Sequence, residues 1–303
     1  MIMLLSIVFS WYNLNRGKIK MIKEIKIDDI KELFLKRDED ANKGDFGKVG
    51  ILGGSIKYSG AVKLANMSLC ALRSGCGLVR VIVPKEITNS VSPYLLEQTM
   101  YPYESLEDVR DAIRNLDVLA IGMGWDYGEE HLSILEYVLT SFEGSIVIDA
   151  DGLNTLVGHL DLLKSSKAGI VFTPHLKEFS RLTGLSTEEI EKDKINLALS
   201  FAKEHHVILV LKGHTTIVTD GVDVYLCKCG GAGMATSGSG DVLSGILAGM
   251  LGYLDYNLLT ISGGVMLNGI AGEIAEEKNT DISMIASDTI NCISDAIKRI
   301  RGE

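Results

Sequence analysis

Short runs of apolar residues that end directly in glycine or polar residues are the feature that most constrains how this chain folds. Such runs lie at 49–52, 118–121, 146–148, 170–172 and 207–211. Segments of helical length, either amphipathic or rich in small residues, separate them. Continuous apolar strands are typical of a sheet covered on both faces, and their alternation with helices favours parallel pairing. The pattern therefore predicts a three-layer α/β/α fold around a mostly parallel central sheet.

The composition agrees with one ordinary globular domain. The chain has 303 residues, of which 46% are hydrophobic and 23% charged, and its 4 prolines mark no linker. The sequence contains no internal repeat and no low-complexity segment. A net charge of -10 argues against a nucleic-acid partner. The 5 cysteines include no Cys-x-x-Cys pair, which indicates reduced thiols and a cytoplasmic location.

The beginning of the chain differs from the rest. Residues 1–12 are mostly apolar but too few to span a bilayer as a helix. They lack the basic start and the small-residue cleavage site of a signal peptide, so no membrane partner is expected. We expect residues 1–26 to be an extension outside the fold. Residues 27–303 are then the single domain, and an amphipathic helix over 27–44 is predicted to lead into it.

Polar residues and glycines directly follow four of the predicted strands. These groups are Gly122-Met123-Gly124, Asp149-Ala150-Asp151-Gly152, Thr173-Pro174-His175 and Lys212-Gly213. In an open parallel sheet the carboxyl ends of the strands share one edge, and such folds bind their ligands there. The sequence therefore predicts that the four groups collect around one site.

The glycine-rich segment 230–241 runs into an apolar helix predicted over 239–254. Glycines leave backbone N–H groups free to surround an anion. A helix start adds further N–H groups and the positive end of the helix dipole. A phosphate, or a phosphoryl group in transfer, suits this position, although the chain has no P-loop motif. Asp241 either caps the helix or acts as a base on a hydroxyl beside the phosphate.

Three other groups carry alternatives of the same kind. Asp149 and Asp151 either approach a phosphate-bound Mg²⁺ or cap the helix that follows them. Glu178 either caps the helix that begins at His175 or binds metal-bound water, with His175 then against the substrate. Lys212 either pairs with an anionic ligand, because an unpaired buried lysine is costly, or lies on a surface hairpin.

Taken in chain order, eight motifs point to one family. They are Lys43-Gly44-Asp45-Phe46-Gly47, Gly53-Gly54-Ser55, Tyr58-Ser59-Gly60-Ala61, Ala71-Leu72-Arg73-Ser74-Gly75-Cys76-Gly77-Leu78-Val79, Asp149-Ala150-Asp151-Gly152-Leu153, Thr173-Pro174-His175, Leu211-Lys212-Gly213 and Ala235-Thr236-Ser237-Gly238-Ser239-Gly240-Asp241-Val242-Leu243. Over residues 27–300 this set resembles the ADP/ATP-dependent NAD(P)H-hydrate dehydratases. The resemblance implies a ribokinase-like fold and the repair of NADH and NADPH whose nicotinamide ring has been hydrated.

The resemblance also implies which positions form the site. The residues expected to line the substrate site are Ala61, Gly124, His175 and Asp241. Those expected to bind the adenine nucleotide are Lys212, Gly213, His214, Thr215, Thr216 and Gly240. An anion hole is expected from Gly238, Ser239 and Gly240. Mg²⁺ is expected near Asp149, Asp151 and Glu178 through water, with ADP or ATP as phosphoryl donor and a homo-oligomer, a tetramer, as the assembly.

The chain departs from the family pattern at three places. Gly122-Met123-Gly124-Trp125-Asp126 replaces a turn that is usually like Gly-Pro-Gly-Leu-Gly. Lys177 replaces the usual glycine before Glu178, and Asn268 stands where a histidine is common. We expect no epimerase domain, which some relatives carry fused, within this length.

The implied chemistry is a dehydration driven by phosphoryl transfer. Because hydroxide is a poor leaving group, the ring hydroxyl is phosphorylated first and phosphate then leaves. Asp241 would be the base, the helix start at 238–241 the cradle, and Mg²⁺ the bridge between donor phosphates. A ribokinase-like kinase of a vitamin precursor or sugar is the alternative, and it would stop at the phosphorylated product. A non-catalytic nucleotide-binding subunit is a third interpretation, which the intact Asp241 and Lys212 argue against.

Overall fold

A computed structural model describes residues 21–66 and 69–303. Ten strands form one sheet in the order β1-β10-β9-β8-β7-β6-β5-β2-β3-β4. The strands are β1 Met21–Glu24, β2 Lys48–Leu52, β3 Leu78–Pro84, β4 Thr99–Tyr103, β5 Val118–Ile121, β6 Ser145–Ile148, β7 Gly169–Phe172, β8 Ile208–Leu211, β9 Thr216–Thr219 and β10 Asp223–Cys227. In this described part of the chain every pairing is parallel except those of β9 with β8 and β10. The predicted mostly parallel sheet and the hairpin around Asp220-Gly221 are confirmed.

Fourteen α-helices lie within the described residues. They are α1 Ile27–Ile30, α2 Ser59–Asn66, α3 Leu69–Arg73, α4 Thr88–Val91, α5 Leu106–Ile113, α6 Glu129–Ser141, α7 Asp151–Thr155, α8 Leu176–Thr183, α9 Thr187–Lys192, α10 Lys194–His205, α11 Ser239–Leu251, α12 Leu258–Asn279, α13 Ala286–Asn291 and α14 Ile293–Arg301. Short 3₁₀ turns occur at Lys31–Phe34, Lys43–Phe46, Lys85–Ile87, Ser92–Tyr94, Leu160–Ser165 and Ala232–Met234.

Alternate residues along the central strands enter different cores, which makes the fold three-layered. In β6, Val147 packs with α11 to α14, whereas Ile146 and Ile148 pack with α5 to α10. Val210 and Leu209 of β8 divide between the two cores in the same way. Successive side chains of a strand point to opposite faces, so a continuous apolar run is what a sheet covered on both faces requires. The predicted α/β/α architecture is confirmed.

The fold begins earlier than the sequence predicts. The backbone of β1 pairs in parallel with β10 at the sheet edge, with Ile22 opposite Val224. Ile25 is buried and its N–H donates to the carbonyl of Leu226 over 3.0 Å. The expectation that residues 1–26 lie outside the fold is therefore wrong for residues 21–25. The remaining part of the expected extension, residues 1–20, lies outside the described residues.

One predicted helix differs in extent. The helix expected over 27–44 ends at Ile30 and continues as a 3₁₀ turn only to Phe34, since Leu35 is extended and largely exposed and has no core to enter. Farther along the chain, α9 is capped by Ser186 and is separated from α10 at Asp193.

The last long helices, α11 and α12, lie in the core. Every residue of α11 from Val242 to Leu251 is buried. Among the described residues α12 is long and apolar enough to cross a membrane, yet 89% of its most apolar window is buried inside the protein. Burial of this extent is typical of a core helix.

The carboxyl edge of the sheet gathers the polar groups as predicted. The strands β5, β6, β7 and β8 are adjacent and parallel, so the segments that follow them emerge side by side. His175 and Lys212 extend the pairing of β7 and β8 by a further bridge, and the Lys212 N–H donates to the carbonyl of Pro174 over 2.9 Å. This edge, together with the start of α11, forms the candidate site.

Two truncated chains should separate the roles of β1 and of residues 1–20. A chain that begins at Met21 should match the full chain in urea-unfolding free energy and in activity. A chain that begins at Ile27 loses the β1 ladder and the buried Ile25, so its unfolding free energy should fall by about 2–5 kcal/mol. Loss of folding in the first chain would show that residues 1–20 contribute to the domain. Equal stability of the two truncated chains would show that β1 contributes nothing.

Candidate active site

A buried ion pair lies at the centre of the site. The Lys212 Nζ is 2.9 Å from Oδ1 of Asp149, and the Ser244 hydroxyl donates to Asp149 Oδ2 over 2.8 Å. Asp149 is 1% exposed. Burial alone raises the pKa of Asp149, but the charge of Lys212 and these hydrogen bonds hold it below its ordinary value. Burial likewise opposes the charge of Lys212, yet Asp149 and Glu178 raise its pKa. Lys212 begins the hairpin between β8 and β9, but its side chain is only 21% exposed, so the expected surface position is wrong.

The start of α11 lies directly beside this pair. A Cβ placed on Gly240 would be 3.2 Å from Lys212 Nζ and 3.5 Å from Asp149 Oδ2. Gly238 is the N-cap of α11, with φ +93°, and a Cβ there would meet the side chain of Leu64. Glycine therefore serves both conformation and close approach at 238. The first turn of α11 therefore has the geometry of a helix start at which anions bind, as expected for the cradle at 238–241.

Asp241 is the third residue of α11 and not its N-cap, so that alternative is wrong. Its carboxylate lines the cavity beside the cradle. Burial raises the pKa of Asp241 to about 7, with the charge of Asp149 adding to the rise, Lys212 opposing it, and Asp151 and Glu178 contributing further. A carboxylate with a pKa near neutrality accepts a proton readily at physiological pH. Asp241 thus has the properties of a general base.

His175 and Glu178 form a reciprocal cap on α8. The Glu178 N–H donates to His175 Nδ1 over 3.1 Å, and the His175 N–H donates to Glu178 Oε2 over 2.8 Å. The capping alternative for Glu178 is therefore what the structure shows. Burial and the charge of Lys212 lower the pKa of His175. The neutral ring accepts at Nδ1, so its proton is on Nε2, which lies 3.4 Å from Oε1 of Glu178.

The residues predicted to approach a metal are engaged with the protein. Asp151 accepts the N–H of Asp126 over 2.9 Å and the side chain of Asn154 over 3.3 Å. Between the two aspartates Ala150 has φ +48°, a conformation rarely adopted by a residue with a side chain. The described residues contain no cluster of three His, Cys, Asp or Glu that could hold a metal ion by themselves. A protein-only metal centre is therefore absent from this part of the chain.

A cavity of about 1090 Å³ opens above these groups. Eleven predicted site residues line it: Asp149, His175, Glu178, Lys212, Gly213, His214, Thr216, Gly238, Ser239, Gly240 and Asp241. Thr215, Asp151, Ala61 and Gly124 are not among its lining residues. The cavity thus brings together the expected anion positions and all the expected nucleotide positions except Thr215. Of the four expected substrate positions, His175 and Asp241 line the cavity, whereas Ala61 and Gly124 do not.

Ala61 and Gly124 lie against one another beside the cradle. A Cβ on Gly124 would be 2.8 Å from Cβ of Ala61. Ala61 is three residues before Leu64 on α2, and Leu64 contacts Gly238 at the cradle. In the altered turn Trp125 is fully buried and its Nε1 donates to the hydroxyl of Tyr103 over 2.9 Å. The substitution in that turn therefore fills the core.

The contacts between α12 and the glycine-rich loop were not predicted from the sequence. Glu273 Oε1 accepts the N–H of Gly230, and Glu276 Oε2 accepts the N–H of Gly233, each over 2.9 Å. Gly272 lies on the same face of α12, where a Cβ would meet Met234. Small and acidic residues at i, i+1 and i+4 of one helix face were the available signal. This face fixes the loop that forms one wall of the cavity.

Comparison with known proteins decides the family. Residues 49–295 match the family model described as NAD(P)H-hydrate dehydratase. The chain belongs to the NAD(P)H-hydrate dehydratase family. It is 34% identical over 263 residues to the ADP-dependent (S)-NAD(P)H-hydrate dehydratase of Cenarchaeum symbiosum, covering 82% of this chain and 88% of that one. The family resemblance stated from the motifs is confirmed.

Solved structures of family members have the same fold. The ADP/ATP-dependent NAD(P)H-hydrate dehydratase of Bacillus subtilis, co-crystallized with ATP/Mg²⁺, superposes with a TM-score of 0.82 at 26% identity and covers 92% of this chain and 98% of its own. A ribokinase-like superfamily protein from Enterococcus faecalis gives a TM-score of 0.80 at 25% identity, with 93% and 97% covered. The chain spans about half the length, 51–52%, of the bifunctional NAD(P)H-hydrate repair enzymes that it also matches. The ribokinase-like fold is confirmed.

Replacement of Lys212 by Met should affect stability and nucleotide binding together. The change leaves a buried Asp149 carboxylate without its cation, so the unfolding free energy should fall by about 3–5 kcal/mol. Loss of a charge-assisted hydrogen bond to phosphate should weaken nucleotide binding by about 1–3 kcal/mol in calorimetry.

The double variant Lys212→Met/Asp149→Asn is the matched control. It should recover most of the stability because position 149 no longer carries a buried charge that lacks its cation, but it should not recover nucleotide affinity. Unchanged nucleotide affinity in Lys212→Met would place the nucleotide phosphates away from Lys212.

Proposed function

We propose that this protein dehydrates hydrated NADH and NADPH back to the reduced cofactors while consuming an adenine nucleotide. The observation that supports it is Asp241, a carboxylate with a pKa near 7 beside a glycine cradle and Lys212, in a chain of this family. Relatives from Cenarchaeum symbiosum and Nitrosopumilus maritimus are named ADP-dependent (S)-NAD(P)H-hydrate dehydratases. ADP is therefore the first donor to test, and ATP the second.

The chemistry proceeds in two stages. In the first, the ring hydroxyl oxygen attacks the terminal phosphorus, its proton passes to Asp241, and the bond from phosphorus to the leaving nucleotide breaks. In the second, the C–O bond breaks and phosphate leaves with that oxygen. A proton is lost from the neighbouring ring carbon, so the ring double bond re-forms. In total, one water equivalent is removed from the ring, and the loss of a phosphoryl group from the nucleotide drives this removal.

The protein residues position and neutralise these groups. The N–H groups at 238–240 and the ammonium of Lys212 would hold the phosphoryl group that is being transferred. His175, through Nε2–H, would donate to the substrate. Ala61 and Gly124 would contact the nicotinamide side, because they lie beside the cradle on the flank opposite the nucleotide loop.

A magnesium ion fits the charge of this site. The carboxylates of Asp149, Asp151 and Glu178 each raise the pKa of Asp241, whereas the ammonium of Lys212 lowers it. The carboxylates of Asp149, Glu178 and Asp241 in turn raise the pKa of Lys212. Mg²⁺ keeps several waters and binds through substrate phosphates with few protein ligands. Asp149, Glu178 and Asp241 would hold it through water. When bound it would neutralise phosphate charge.

Assembly and location remain predictions. The family resemblance favours a homo-oligomer, a tetramer, and the reduced cysteines favour the cytoplasm. The four described cysteines, Cys76, Cys227, Cys229 and Cys292, are free thiols.

The reaction itself is the first test. Hydrated NADH incubated with Mg²⁺ and ADP, or with ATP, should regain the absorbance of the reduced ring and release orthophosphate in equal amounts. A stable phosphoester would instead favour the vitamin or sugar kinase alternative. Nucleotide binding without turnover of either donor would favour the regulatory subunit.

Asp241→Asn should separate catalysis from structure. Asn keeps the shape of the side chain but cannot take a proton, so turnover should fall by about 10²–10⁴-fold. Nucleotide affinity should persist, because the cradle at 238–240 is unchanged. The measurements are a turnover rate and a nucleotide titration on one preparation. Turnover within a few-fold of the unmodified protein would remove Asp241 from the mechanism.

The pH dependence provides the control for this variant. The pKa of Asp241 is raised on folding, from 3.8 to about 7, so the folded protein favours the protonated acid. Above pH 7 the folded protein must bury the charged carboxylate, which lowers the free energy of unfolding. Below pH 3.8 the carboxyl is protonated in both the folded and the unfolded state, so this loss of stability disappears. At pH 8 Asp241→Asn should therefore unfold at an equal or higher temperature. For the unmodified protein kcat/KM should rise with pH through about 7, as the base loses its proton.

A further inference from the structure

The wall of the cavity away from Lys212 has a different chemistry from the cradle. It is lined by three residues of α12, which are Val265, Asn268 and Gly269, and by Leu243 of α11. Cys229, directly before the glycine-rich segment 230–241, lines it as well. These residues are mutually close, because Cys229 Sγ lies 3.8 Å from the carbonyl oxygen of Val265 and a Cβ on Gly269 would meet Cys229. Burial raises the pKa of Cys229 to about 12, so its thiol is neutral. This wall therefore carries no charge.

Asn268 is the one strongly polar side chain among these five. It is 8% exposed, and its Oδ1 accepts no hydrogen bond within the described chain. A buried polar atom without a partner is uncommon in a folded protein and destabilises it. Such an atom in the wall of a ligand cavity is explained if a ligand supplies the missing partner.

The two ends of the cavity divide a nucleotide between them. Phosphates require cations and free N–H groups, which Lys212 and the 238–240 turn supply. A nucleobase requires an uncharged wall with a few directed polar groups. Leu243 lies one helical turn beyond Gly240 on α11, so the uncharged wall begins where the phosphate cradle ends. The base is then the part of the nucleotide that reaches Asn268.

We propose that Asn268 pairs with the amino-bearing edge of adenine and so selects adenine nucleotides. Its Oδ1 accepts from the exocyclic N6 amino group, while Nδ2 donates to the ring nitrogen N7. An asparagine carboxamide fits adenine in this two-bond manner. Hypoxanthine and guanine carry a carbonyl oxygen at the same place, which would face Oδ1 as a second acceptor. This selectivity rests on the proposed use of an adenine nucleotide and names the residue that determines it.

Calorimetry with ADP and IDP, without the second substrate, tests the pairing independently of turnover. The unmodified protein should bind ADP more tightly than IDP by about 5- to 150-fold, the range for one two-bond amide–base pair. Asn268→Leu removes both polar ends at similar volume. It should bring the two affinities within about 2-fold of each other by weakening ADP, with IDP unchanged.

The control is Asn279→Leu on the same helix. Asn279 does not line the cavity, and its amide already donates to the carbonyl of Ala275. This variant should keep the full preference for ADP. The melting temperature of Asn268→Leu should not fall, because the lost Oδ1 has no partner in the protein.

Four results would overturn the role of Asn268. They are equal binding of ADP and IDP by the unmodified protein, a preference that persists in Asn268→Leu, an equal loss of both nucleotides there, and a loss of preference in Asn279→Leu. Failure of the proposed function is distinguishable from these results. In that case hydrated NADH is not converted, while the ADP preference and its loss in Asn268→Leu are still observed.

Discussion

The ion pair between Lys212 and Asp149 is the interaction on which the site depends. Its two residues end β8 and β6, and its third partner, Ser244, belongs to α11. The three elements are distant in sequence, since Asp149 is 63 residues from Lys212 and 95 from Ser244. Moving two charges out of water is costly unless the geometry is good and the remaining atoms are hydrogen-bonded. The pair therefore fixes where the helix start lies relative to the sheet edge, and with it the position of the anion cradle.

The same region concentrates more negative charge than one lysine can balance. Asp241 and Glu178 both have a raised pKa because they are buried near other carboxylates. Such an arrangement opposes folding at neutral pH, so it is better understood as a site that awaits a cation and a polyanion than as a stabilising network. Stability comes instead from the two apolar layers, where residues such as Ile146 and Val147 alternate between the cores. The rigid sheet holds the carboxylates together against their repulsion.

The structure differs from the sequence predictions at positions where contacts between distant parts of the chain determine the local structure. The strand β1 has no continuous apolar run that would predict it. It lies at the edge of the sheet with its first two residues exposed. It forms because β10, about 200 residues away, pairs with its backbone. The helix predicted beyond Phe34 does not form, because Leu35 finds no apolar surface to cover. Asp241 was one candidate for the cap of α11, but the φ of +93° at Gly238 places the helix start three residues earlier. Local propensity is a weak guide wherever tertiary contacts decide the outcome.

By itself the sequence determined the central strands β2, β5, β6, β7 and β8, their parallel pairing and the edge at which the polar groups meet. These follow from the period and burial of apolar runs and from glycines that few other residues could replace, all of which are local or follow from the rules of sheet topology. Only the tertiary structure decided that Lys212 forms an ion pair with Asp149 and that Glu178 caps its own helix. It also decided that Asn268 Oδ1 has no hydrogen-bond donor among the described residues. Each of these depends on a distance between groups that the chain sequence does not fix. Burial then sets the cost of every charge and every unmade hydrogen bond, and burial belongs to the folded protein alone.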